Sequence, residues 1–464
     1  MTVANDEPVA NGDGSERYRP LPTGTHGLDP DDVKRDQRKR LQAALIELIA
    51  QKGYPGVRIV DLAKLAHVSP PTFYSLYDDK EDLFLSAYDE VAARTAKSVL
   101  LAYASRDPEE ERLVVAMRAF AEIAAAESEA ISLFVLGAFG AGSRALERRR
   151  RTLEEFESRI RTSRDGTGRG DSGDLTVKFI LGGIREVTAS RLRDGRQAEL
   201  FAVADELAAW AAGYPRRLPD DLSVPPLNPS KSDDGVPLSE RAQRAEGRLP
   251  SGRSDLPRQF IVKSQRERIV DATAAIAAEQ GLAGLTIPKI AKRANVSYQT
   301  FYDIYPSKHD AFLGAQKVGM HQALRVAIEA YEAHESDWPR GVAAGLSALI
   351  TFLASEPAHA HLTVVDTFAA SPETIEIRGA SMQGFAAYLL PGYELAGEDM
   401  AIPSIAAEAI TGGIWQVFHH CIENDCLAEL PLAAPQLTYL ALTPFVGPSE
   451  AAKIAREADQ LASA

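Results

Sequence analysis

One stretch of the sequence occurs twice and decides how the chain is organised. The first copy reads GYPGVRIVDLAKLAHVSPPTFYSLYDDKEDLFLSAY (residues 53–88), and the second reads GLAGLTIPKIAKRANVSYQTFYDIYPSKHDAFLGAQ (residues 281–316). When Gly53 is placed over Gly281, an offset of 228 residues, about half of the positions are identical and no gap is needed. A repeat of this length indicates two equivalent structural units in one chain.

The repetition continues downstream of these stretches. Phe139 falls opposite Phe368 at an offset of 229, and Gly182-Gly183 falls opposite Gly412-Gly413 at an offset of 230. Because the offset drifts by only two residues across most of a copy, both copies contain equivalent elements in the same order. The glycine pairs would permit two helices to approach closely, although a loop or a kink explains them nearly as well.

Both copies have the periodicity of helices. Apolar residues recur at i, i+3, i+4, i+7 and i+8 from Leu41 to Ile49, and the stretch from Ile269 to Ala277 repeats that spacing. Alternating runs and Asn-Gly hairpin signals are scarce, so strands are not expected. The sequence therefore predicts an all-α fold.

Composition divides the chain into seven segments. Gly, Pro and Asp are frequent before residue 34, and the stretch from 218 to 257 has the composition of a flexible linker. Each copy is expected to consist of a helix-turn-helix head followed by a helical effector and dimerisation domain. The expected segments are a disordered tail (1–33), the first head (34–82), the first helical domain (83–217), the linker (218–257), the second head (258–310), the second helical domain (311–447) and a C-terminal tail (448–464).

The second head shows the start and stop signals of short helices. Thr286 and Ser297 are expected to cap two helices, and Asn295 lies in the turn between them, where a residue tolerant of positive φ is needed. Ser307, with Asp310 three residues later, is expected to open a fourth helix as a capping box.

The first head follows the same plan. His67 takes the turn, Ser69 takes the cap, and Asp79 with Asp82 opens the fourth helix. Arg58 stands where the second copy has Thr286, so this helix lacks its obvious cap.

Two short helices joined by a turn of three or four residues form a helix-turn-helix, whose second helix enters the major groove of DNA. Lys80 and Lys308 begin the next helix, where a cation opposes the helix dipole, so an anion is expected to compensate each of them. Basic clusters precede both heads, namely Lys34, Arg35, Arg38, Lys39 and Arg40 in the first and Arg258, Lys263, Arg266 and Arg268 in the second.

The segments VSPPTFYSLYDDKEDLF (68–84) and VSYQTFYDIYPSKHDAF (296–312) resemble the recognition-helix signature of the tetracycline-repressor family. The preceding IVDLAKLAHVS and IPKIAKRANVS resemble the first helix of that motif. The resemblance covers about fifty residues in each copy. It implies a three-helix head and a larger helical domain that binds a small effector and dimerises.

The start of each recognition helix, which includes Ser69 and Ser297, would face base edges and phosphate. Carried over by position, the resemblance implies phosphate contacts for Thr72, Tyr74, Lys80, Thr300, Tyr302 and Lys308, while Pro70, Pro71, Tyr298 and Gln299 would lie nearest the bases. Two departures weaken the match: His67 and Asn295 replace the usual turn glycine, which both can tolerate. Pro70-Pro71 removes two backbone donors and supplies no polar side chain, so the first head is expected to read sequence poorly.

Two heads in one chain predict a single-chain pseudo-dimer. A linker of roughly forty residues spans about 35 Å, which is enough for the two copies to dock side by side. The expected contact joins Leu175–Leu192 and Phe201–Trp210 to Ile405–Ile422 and Leu432–Leu442. The heads differ at Pro70/Tyr298, Pro71/Gln299, Leu65/Arg293 and Ser75/Asp303. We therefore predict an asymmetric operator with unlike half-sites about one helical turn apart. Further pairing of pseudo-dimers into a homodimer is left open.

The formal net charge of −14 means that only a local concentration of Lys and Arg can bind double-stranded DNA. The two cysteines, Cys421 and Cys426, would face different directions on one helix, which excludes a disulfide framework and favours a reducing compartment. The N-terminus lacks a secretory signal, and the longest apolar run, Gly341–Ala354, is shorter than the ~20 residues of a membrane span. We therefore expect a cytoplasmic protein without a membrane partner.

Aromatic and Met residues in the helical domains are candidates for an effector pocket. At helical spacing they are more often plain core, but an apolar or amphipathic small molecule would suit such walls. The candidates are Met117, Phe120, Phe134 and Phe139 in the first copy and Trp338, Phe352, Phe368, Trp415 and Phe418 in the second.

The sequence contains no phosphate loop, nucleophile elbow or Cys-x-x-Cys motif, so no enzyme activity and no cofactor are expected. His359-x-His361 near Asp366 suggests a metal only weakly, because histidines at i and i+2 on a helix point apart. The sequence favours a ligand-responsive transcriptional regulator, with repressor as the leading reading. The alternative is a helical protein that binds a small molecule and in which one or both heads are structural only.

Overall fold

The structure, a computed structural model, describes residues 18, 29–105, 109–165, 175–215, 218–224, 227, 258–334, 336–365, 372–397 and 400–461. All regular secondary structure in these ranges is helical, so the prediction of an all-α fold is confirmed. Contacts divide the chain into two compact units, Met1–Lys97 with Glu127–Thr152 and Ser98–Ala126 with Leu153–Ala464. The first head lies in the first unit and the second head lies in the second unit.

The first copy begins with four helices of its head. These are α1 (Pro30–Gly56), α2 (Ile59–Leu65), α3 (Pro70–Leu76) and the long α4 (Lys80–Ala104). The rest of the copy consists of α5 (Glu109–Ala126), α6 (Ser128–Ser132), a π-helical turn (Leu133–Gly137), α7 (Ala138–Ala141), α8 (Ser143–Asp165), α9 (Thr176–Arg193) and α10 (Leu200–Ala212).

The second copy repeats this order. Its head contains α11 (Arg258–Gly284), α12 (Ile287–Arg293), α13 (Tyr298–Ile304) and the start of α14 (Lys308–Glu332). It continues with α15 (Trp338–Ser355), α16 (Pro357–Ala360), a π-helical turn (His361–Val365), α17 (Pro372–Ala387), α18 (Pro391–Ala396), α19 (Ala406–Glu423) and α20 (Ala434–Leu461).

Each head is built around one aromatic side chain. Phe73 of α3 and Phe301 of α13 are fully buried, and Tyr77 and Tyr305 lie beside them with ring centroids 6.0 and 6.4 Å away. All four aromatic side chains therefore belong to the cores of their heads. Burying a phenylalanine side chain contributes about 1.5–3 kcal/mol, which anchors each short helix to its head.

Helices α9 and α19 cross at their glycine pairs, inside the second unit. A Cβ atom at Gly183 would lie 2.6 Å from the carbonyl oxygen of Ala409, and one at Gly413 would lie 2.7 Å from that of Phe179. Because real Cβ contacts are longer, only glycine permits this approach. The glycine pairs therefore permit close approach of two helices and do not mark a loop or a kink.

The crossing is reciprocal. A Cβ atom at Gly182 would clash with Gln416, and one at Gly412 would clash with Glu186. Residues 230 positions apart are equivalent in the two copies, so Gly182 corresponds to Gly412 and Glu186 corresponds to Gln416. The two contacts are therefore the same contact seen from either copy.

The chain ends of the copies are more ordered than composition suggests. Helix α20 bends at Gly447 (φ 76°) and continues to Leu461, so most of the expected C-terminal tail is helical. Ala451, Ile454, Ala455 and Ala458 are buried on one face of this last segment. The prediction of a tail at 448–464 is corrected accordingly, because burial of these small apolar residues offsets the cost of ordering the segment.

The first residues of the expected linker are also packed. Leu218 and Leu222 are buried, a 3₁₀ turn covers Asp220–Leu222, and Asp221 forms an ion pair with Arg456 of α20. At the other end of the chain, α1 begins at Pro30, capped by Asp29, which is within the range expected for the N-terminal tail. Most of the predicted linker and tail lies outside the described residues.

The two cysteines meet, contrary to expectation. Helix α19 ends at Glu423, and Asp425 adopts a positive φ of 54°, which turns the chain back. The amide of Cys426 then donates to the carbonyl oxygen of Cys421 at 2.8 Å, and both thiols are buried as free cysteines. A regular helix would have separated the two side chains, but the helix ends between them.

None of the described helices alone has both the length and the apolar composition needed to cross a membrane. One pair bent by 107°, Trp338–Ser355 with Pro357–Val365, meets that criterion only when its two helices are taken together.

Candidate functional site

The recognition helices of the two heads begin with the same cap. The hydroxyl oxygen of Ser69 accepts from the Thr72 amide at 3.2 Å, and that of Ser297 accepts from the Thr300 amide at 3.0 Å. The serine and threonine hydroxyl oxygens lie 2.8 Å apart in the first head and 2.9 Å apart in the second. Both expected serine caps are confirmed. These hydroxyl pairs are exposed at the start of each helix, where an anion is favoured.

The turn before each recognition helix has the expected conformation. His67 has a φ of 50° and Asn295 a φ of 51°, as a turn without glycine requires. In the neighbouring helix α12, Thr286 stands at the cap position, but its side chain makes no capping hydrogen bond. That part of the prediction was wrong, since α12 begins without a side-chain cap, as α2 does after Arg58.

An arginine of the first helix braces each turn. Arg40 donates to the carbonyl oxygens of Ala66 and His67, and Arg268 donates to those of Ala294 and Asn295 at 2.9 and 3.1 Å. Arg40 and Arg268 belong to the basic clusters that the sequence suggested for DNA. Here both guanidinium groups stabilise the turn that orients the recognition helix.

The two lysines that follow the recognition helices, Lys80 and Lys308, also donate to backbone carbonyl oxygens. The ammonium group of Lys80 donates to the carbonyl oxygens of Tyr54 and Val57 at 2.9 and 2.8 Å and lies 4.1 Å from the Tyr54 ring centroid. That of Lys308 donates to the carbonyl oxygen of Leu285 at 2.9 Å. Burial lowers the pKa of Lys80. The expected anion is thus replaced by carbonyl oxygens of the head itself, and a phosphate would have to share the ammonium group with them.

Three tyrosines of the recognition helices are exposed while the phenylalanines beside them are buried. Tyr74, Tyr298 and Tyr302 expose 58, 57 and 53 % of their surface. Such amphipathic side chains on a helix that carries its apolar residues inward are available to a partner. Their hydroxyl groups suit the phosphate oxygens of a nucleic acid.

The two recognition helices differ in what they offer to bases. In α13, Gln299 is exposed and its amide donates to Asp303 at 2.8 Å. In α3, Pro70 and Pro71 occupy the first two positions, where the missing amide hydrogens would have had no acceptor within the helix. The prolines therefore do not harm the helix, but they leave its first turn with fewer polar groups.

The preceding helices also differ in charge. In α2, Asp61 pairs with both Lys52 and Arg58 at 2.8 and 2.9 Å. The equivalent position of α12 holds Lys289, and α12 ends at Arg293 where α2 ends at Leu65. Replacement of Asp61 by a cation makes the second head the more basic of the two at this helix.

An apolar cavity lies in the helical domain of the second copy. It contains about 930 Å³ of empty space, part of which opens to solvent. Helices α14, α15, α17 and α19 and the π-helical turn His361–Val365 supply most of its wall. The lining contains no charged side chain, and the residues on its walls include Met320, Leu324, Ile328, Leu346, Leu349 and Met382.

Of the predicted pocket residues in the second copy, Trp415 and Phe418 line this cavity. Phe352 is not among its lining residues, Trp338 donates from its indole to the carbonyl oxygen of Tyr388 at 2.9 Å, and Phe368 lies outside the described residues. Half of the lining residues belong to α14 and α15, and most of these are aliphatic. The apolar run 341–354, which lies in α15, was the feature of the sequence that could have indicated the cavity wall. Its composition, however, is equally typical of a core helix.

The predicted residues of the first copy are placed on several elements. Met117 and Phe120 lie half-buried on α5, and the ring of Phe134 lies 5.3 Å from that of Tyr88. Phe139 belongs to α7, but its side chain lies outside the description. A pocket formed by these residues stays a prediction.

Few polar groups are available inside the cavity. The hydroxyl groups of Thr363 and Thr411 donate to carbonyl oxygens of their own helices, those of His359 and Ala407, both at 2.8 Å. The buried indole N–H of Trp415 has no hydrogen-bond partner among the described residues. Tyr331 and Tyr388 also belong to the wall and bring two phenolic hydroxyl groups. An uncharged ligand would suit this lining.

The cavity wall is connected to an ion pair at the α9–α19 crossing. The guanidinium group of Arg378 lies 4.8 Å from the Trp415 ring and binds Glu186 of α9 at 2.6 and 3.1 Å. Arg193 binds the same carboxylate at 3.1 Å. Burial raises the pKa of Glu186, but the two guanidinium groups lower it by more, to about 2.

No group of three or more metal-ligating residues occurs in the described ranges. His359, part of the weak metal motif, is buried and its Nε2 atom lies 3.3 Å from Oδ1 of Asp271. Asp366 lies outside the described residues.

Comparisons with known proteins match the heads. Residues 41–87 and 269–314 each match the family described as bacterial regulatory proteins, tetR family. No curated protein matches the chain. Among solved structures, the fatty acid degradation regulator FadR from Bacillus halodurans is 18 % identical with a TM-score of 0.35, over 38 % of this chain and 95 % of that one. FadR from Bacillus subtilis, solved in complex with stearoyl-CoA, is 18 % identical with a TM-score of 0.34, over 37 and 96 %.

Proposed function

We propose that this chain is a member of the tetR family of bacterial regulatory proteins and that it reads one asymmetric operator with two unlike heads. Residues 41–87 and 269–314 each match that family. The observation that carries the proposal is that both heads keep the same cap, the same turn and the same bracing arginine, while their exposed recognition residues differ. Two heads with the same backbone support but different exposed residues suit an operator whose two half-sites differ in sequence.

The proposed reading residues follow from exposure. In the second head, Gln299 is placed to form two hydrogen bonds with an adenine once its amide leaves Asp303. Thr300, Tyr302, Ser297 and Tyr298 supply hydroxyl groups for phosphates. In the first head, Ser69, Thr72 and Tyr74 do the same, and the Pro70-Pro71 pair contributes apolar contact to a thymine methyl group or to sugar. Lys80 and Lys308 would add phosphate contacts while they keep their carbonyl partners.

We further propose that the two copies form a pseudo-dimer within one chain. The reciprocal contacts of Gly182 with Gln416 and of Gly412 with Glu186 support this arrangement, because they follow the pattern of an isologous interface. The segments expected for this contact, Leu175–Leu192 and Ile405–Ile422, correspond to α9 and α19.

The apolar cavity supports a ligand response. Its walls suit an uncharged, largely aliphatic or aromatic molecule. A ligand that favours one arrangement of the surrounding helices would shift the affinity for DNA by the difference in its own affinity for the two arrangements. Repression is the mode that we propose for the unliganded protein.

One observation favours the alternative of a structural first head. The prolines of α3 leave its first turn without amide donors or polar side chains beyond Ser69 and Thr72. If that head only packs, DNA binding would depend on the second head alone.

The test compares single substitutions in equivalent positions by fluorescence anisotropy on duplex DNA. Tyr302→Phe and Tyr74→Phe each remove one exposed hydroxyl group, and each should weaken binding to all duplexes if its head contacts phosphate. Gln299→Ala should cost about 1–3 kcal/mol on the preferred operator and little on other duplexes. Tyr103→Phe, outside both heads, serves as the control. If all three head variants bind every duplex as the wild type does, the proposal is wrong.

A further inference from the structure

The α9–α19 interface is reciprocal in its glycine contacts but not in its charges. The two helices align with an offset of 230 residues, so Lys178 of α9 corresponds to Glu408 of α19, and Arg191 corresponds to Cys421. Identical copies of one helix would carry identical charges at these positions. Here the charges differ, because a lysine corresponds to a glutamate and an arginine corresponds to a cysteine.

One of the two equivalent contacts is an ion pair across the interface. Arg191 Nη1 lies 2.8 and 2.7 Å from the two carboxylate oxygens of Glu408, and these side chains are 10 and 30 % exposed. Arg191 has a second carboxylate within its own copy, Glu199 at 3.6 Å, which is 48 % exposed. The strong, partly buried partner of Arg191 is therefore the residue from the other copy.

By the same offset of 230 residues, the positions equivalent to Glu408 and Arg191 on the other side of the crossing are Lys178 and Cys421. The ammonium group of Lys178 binds Glu157 of α8 at 2.6 Å, and both side chains are buried. The pKa of Cys421 is raised by its hydrogen bond with Cys426 and by burial, and the positive charge of Lys178 opposes that rise. At these equivalent positions a lysine and a neutral thiol stand in place of the ion pair of Arg191 and Glu408.

Pairing of like copies would place the wrong groups together. Two first copies would bring Arg191 opposite Lys178 twice, with Glu157 already bound to the lysine and no carboxylate for the arginine across the interface. Two second copies would bring Glu408 opposite Cys421 twice, leaving both carboxylates without a cation. A charge in a partly buried site that loses its partner costs more than an exposed one.

We propose that the α9–α19 interface selects unlike copies, so that a first copy pairs with a second copy and not with another first copy. The partner surface of α9 is therefore an α19 helix, whether of the same chain or of another. Every assembly built through this interface contains equal numbers of first and second heads. The inference goes beyond the proposed DNA binding and does not depend on it.

The test uses the full chain, cut once after folding at a protease site placed between residues 228 and 257. Native mass spectrometry of the cut protein, diluted and concentrated again, reports which fragments remain paired. We expect complexes of one N-terminal and one C-terminal fragment to exceed pairs of like fragments by at least about tenfold. Like pairs in comparable amounts, or complete separation of the fragments, would overturn the proposal.

A charge reversal sharpens the test. Arg191→Glu places two carboxylates in the unlike pair but sets a carboxylate opposite Lys178 in a pair of first copies, so N-terminal fragments should now pair with each other. The double variant R191E/E408R restores opposite charges across the unlike interface and should restore the complex of unlike fragments.

The matched control is Arg118→Glu, which reverses an arginine that pairs at 2.6 Å with Asp205 inside the first copy, where both side chains are about half exposed. It should leave the unlike complex unchanged. If Arg191→Glu also leaves it unchanged, the charges of this interface do not select the partner. Since the readout is fragment composition and not DNA affinity, failure of the proposed DNA binding would not alter it.

Discussion

His359 and Asp271 tie the wall of the apolar cavity to the first helix of the second head. The Nε2 atom of His359 lies 3.3 Å from Oδ1 of Asp271, and both side chains are buried. Thr363, which lines the cavity, donates to the carbonyl oxygen of His359 at 2.8 Å. Two consecutive hydrogen bonds therefore connect the cavity to α11. They begin in a π-helical turn, a local geometry that is frequent at functional sites.

Removal of this link should destabilise the second unit. Asp271→Ala takes a buried hydrogen-bond partner from His359, and we expect the free energy of unfolding to fall by about 1–3 kcal/mol. Urea denaturation followed by circular dichroism measures the change. Glu450→Ala, which removes an exposed partner of Lys453, is the control and should cost less than about 0.5 kcal/mol. Equal effects of the two substitutions would contradict the role given to the link.

The glycine crossing gives a second prediction. A methyl group at Gly182 would lie 2.8 Å from the carbonyl oxygen of Gly412, and one at Gly412 would lie 3.0 Å from that of Gly182. We expect Gly182→Ala and Gly412→Ala each to lower the free energy of unfolding by about 1–3 kcal/mol, because the helices must move apart.

Gly384→Ala provides the control for these two variants. A Cβ atom at Gly384 of α17 meets no atom within 4 Å, so alanine should be neutral or stabilising by up to about 1 kcal/mol. Thermal unfolding of the three variants separates the effect of the close approach from that of losing a glycine. A stabilised Gly182→Ala would show that the crossing tolerates a side chain.

Glu186 should make stability depend on pH in acid. Its folded pKa of about 2 is below the ordinary value of 4.5, so the folded state holds the proton more weakly than the unfolded state does. The stabilisation is fully present above about pH 4.5 and is lost as the pH falls toward 2. Glu186→Gln should remove this contribution and, by leaving Arg378 without its carboxylate, should lower stability at neutral pH as well.

Urea midpoints of the wild type and Glu186→Gln at pH 7 and at pH 3 measure this contribution. The difference between the two proteins should be larger at pH 7 than at pH 3. A difference that is the same at both values would mean that Glu186 does not keep its charge in the folded protein.

The cavity should bind an uncharged apolar dye. We expect N-phenyl-1-naphthylamine to gain fluorescence on binding the wild type, and Leu349→Trp to reduce its affinity at least about tenfold by filling the space. Leu395→Trp, at a side chain that is 57 % exposed on α18, is the control and should bind the dye as the wild type does. Equal binding by both variants would place the dye elsewhere.

Much of each head was predictable because its signals are local. The serine caps at Ser69 and Ser297, the left-handed turns at His67 and Asn295 and the buried Phe73 follow from positions a few residues apart. Local hydrogen bonding and helix periodicity determine such features before any long-range packing.

What the sequence did not predict depends on contacts between distant residues. Arg40 stabilises the turn, and Lys80 stabilises the end of the first helix. Both side chains bind carbonyl oxygens that are 23 to 27 positions away in the sequence. A lysine at a helix start suggested a phosphate, but the carbonyl oxygens that it binds become its neighbours only in the folded head. The DNA contacts of the twelve proposed residues stay a prediction.

The ordered end of the chain did have a signal in the sequence. Ala451, Ile454, Ala455 and Ala458 recur at i, i+3, i+4 and i+7, which is the spacing of an amphipathic helix. The Gly447-Pro448 pair marks a break before it, and composition alone made the segment resemble a tail. The meeting of Cys421 and Cys426 had no comparable signal, because it depends on where α19 ends.

Selection of bound duplexes from a random-sequence pool by the full chain tests the central claim most directly. The account predicts enrichment of one motif with two unlike halves about one helical turn apart, with the half that depends on Gln299 identified by its loss in the Gln299→Ala protein. Enrichment of a perfect palindrome bound by one chain would contradict the account. No enrichment at all would favour a ligand-binding protein whose heads are structural.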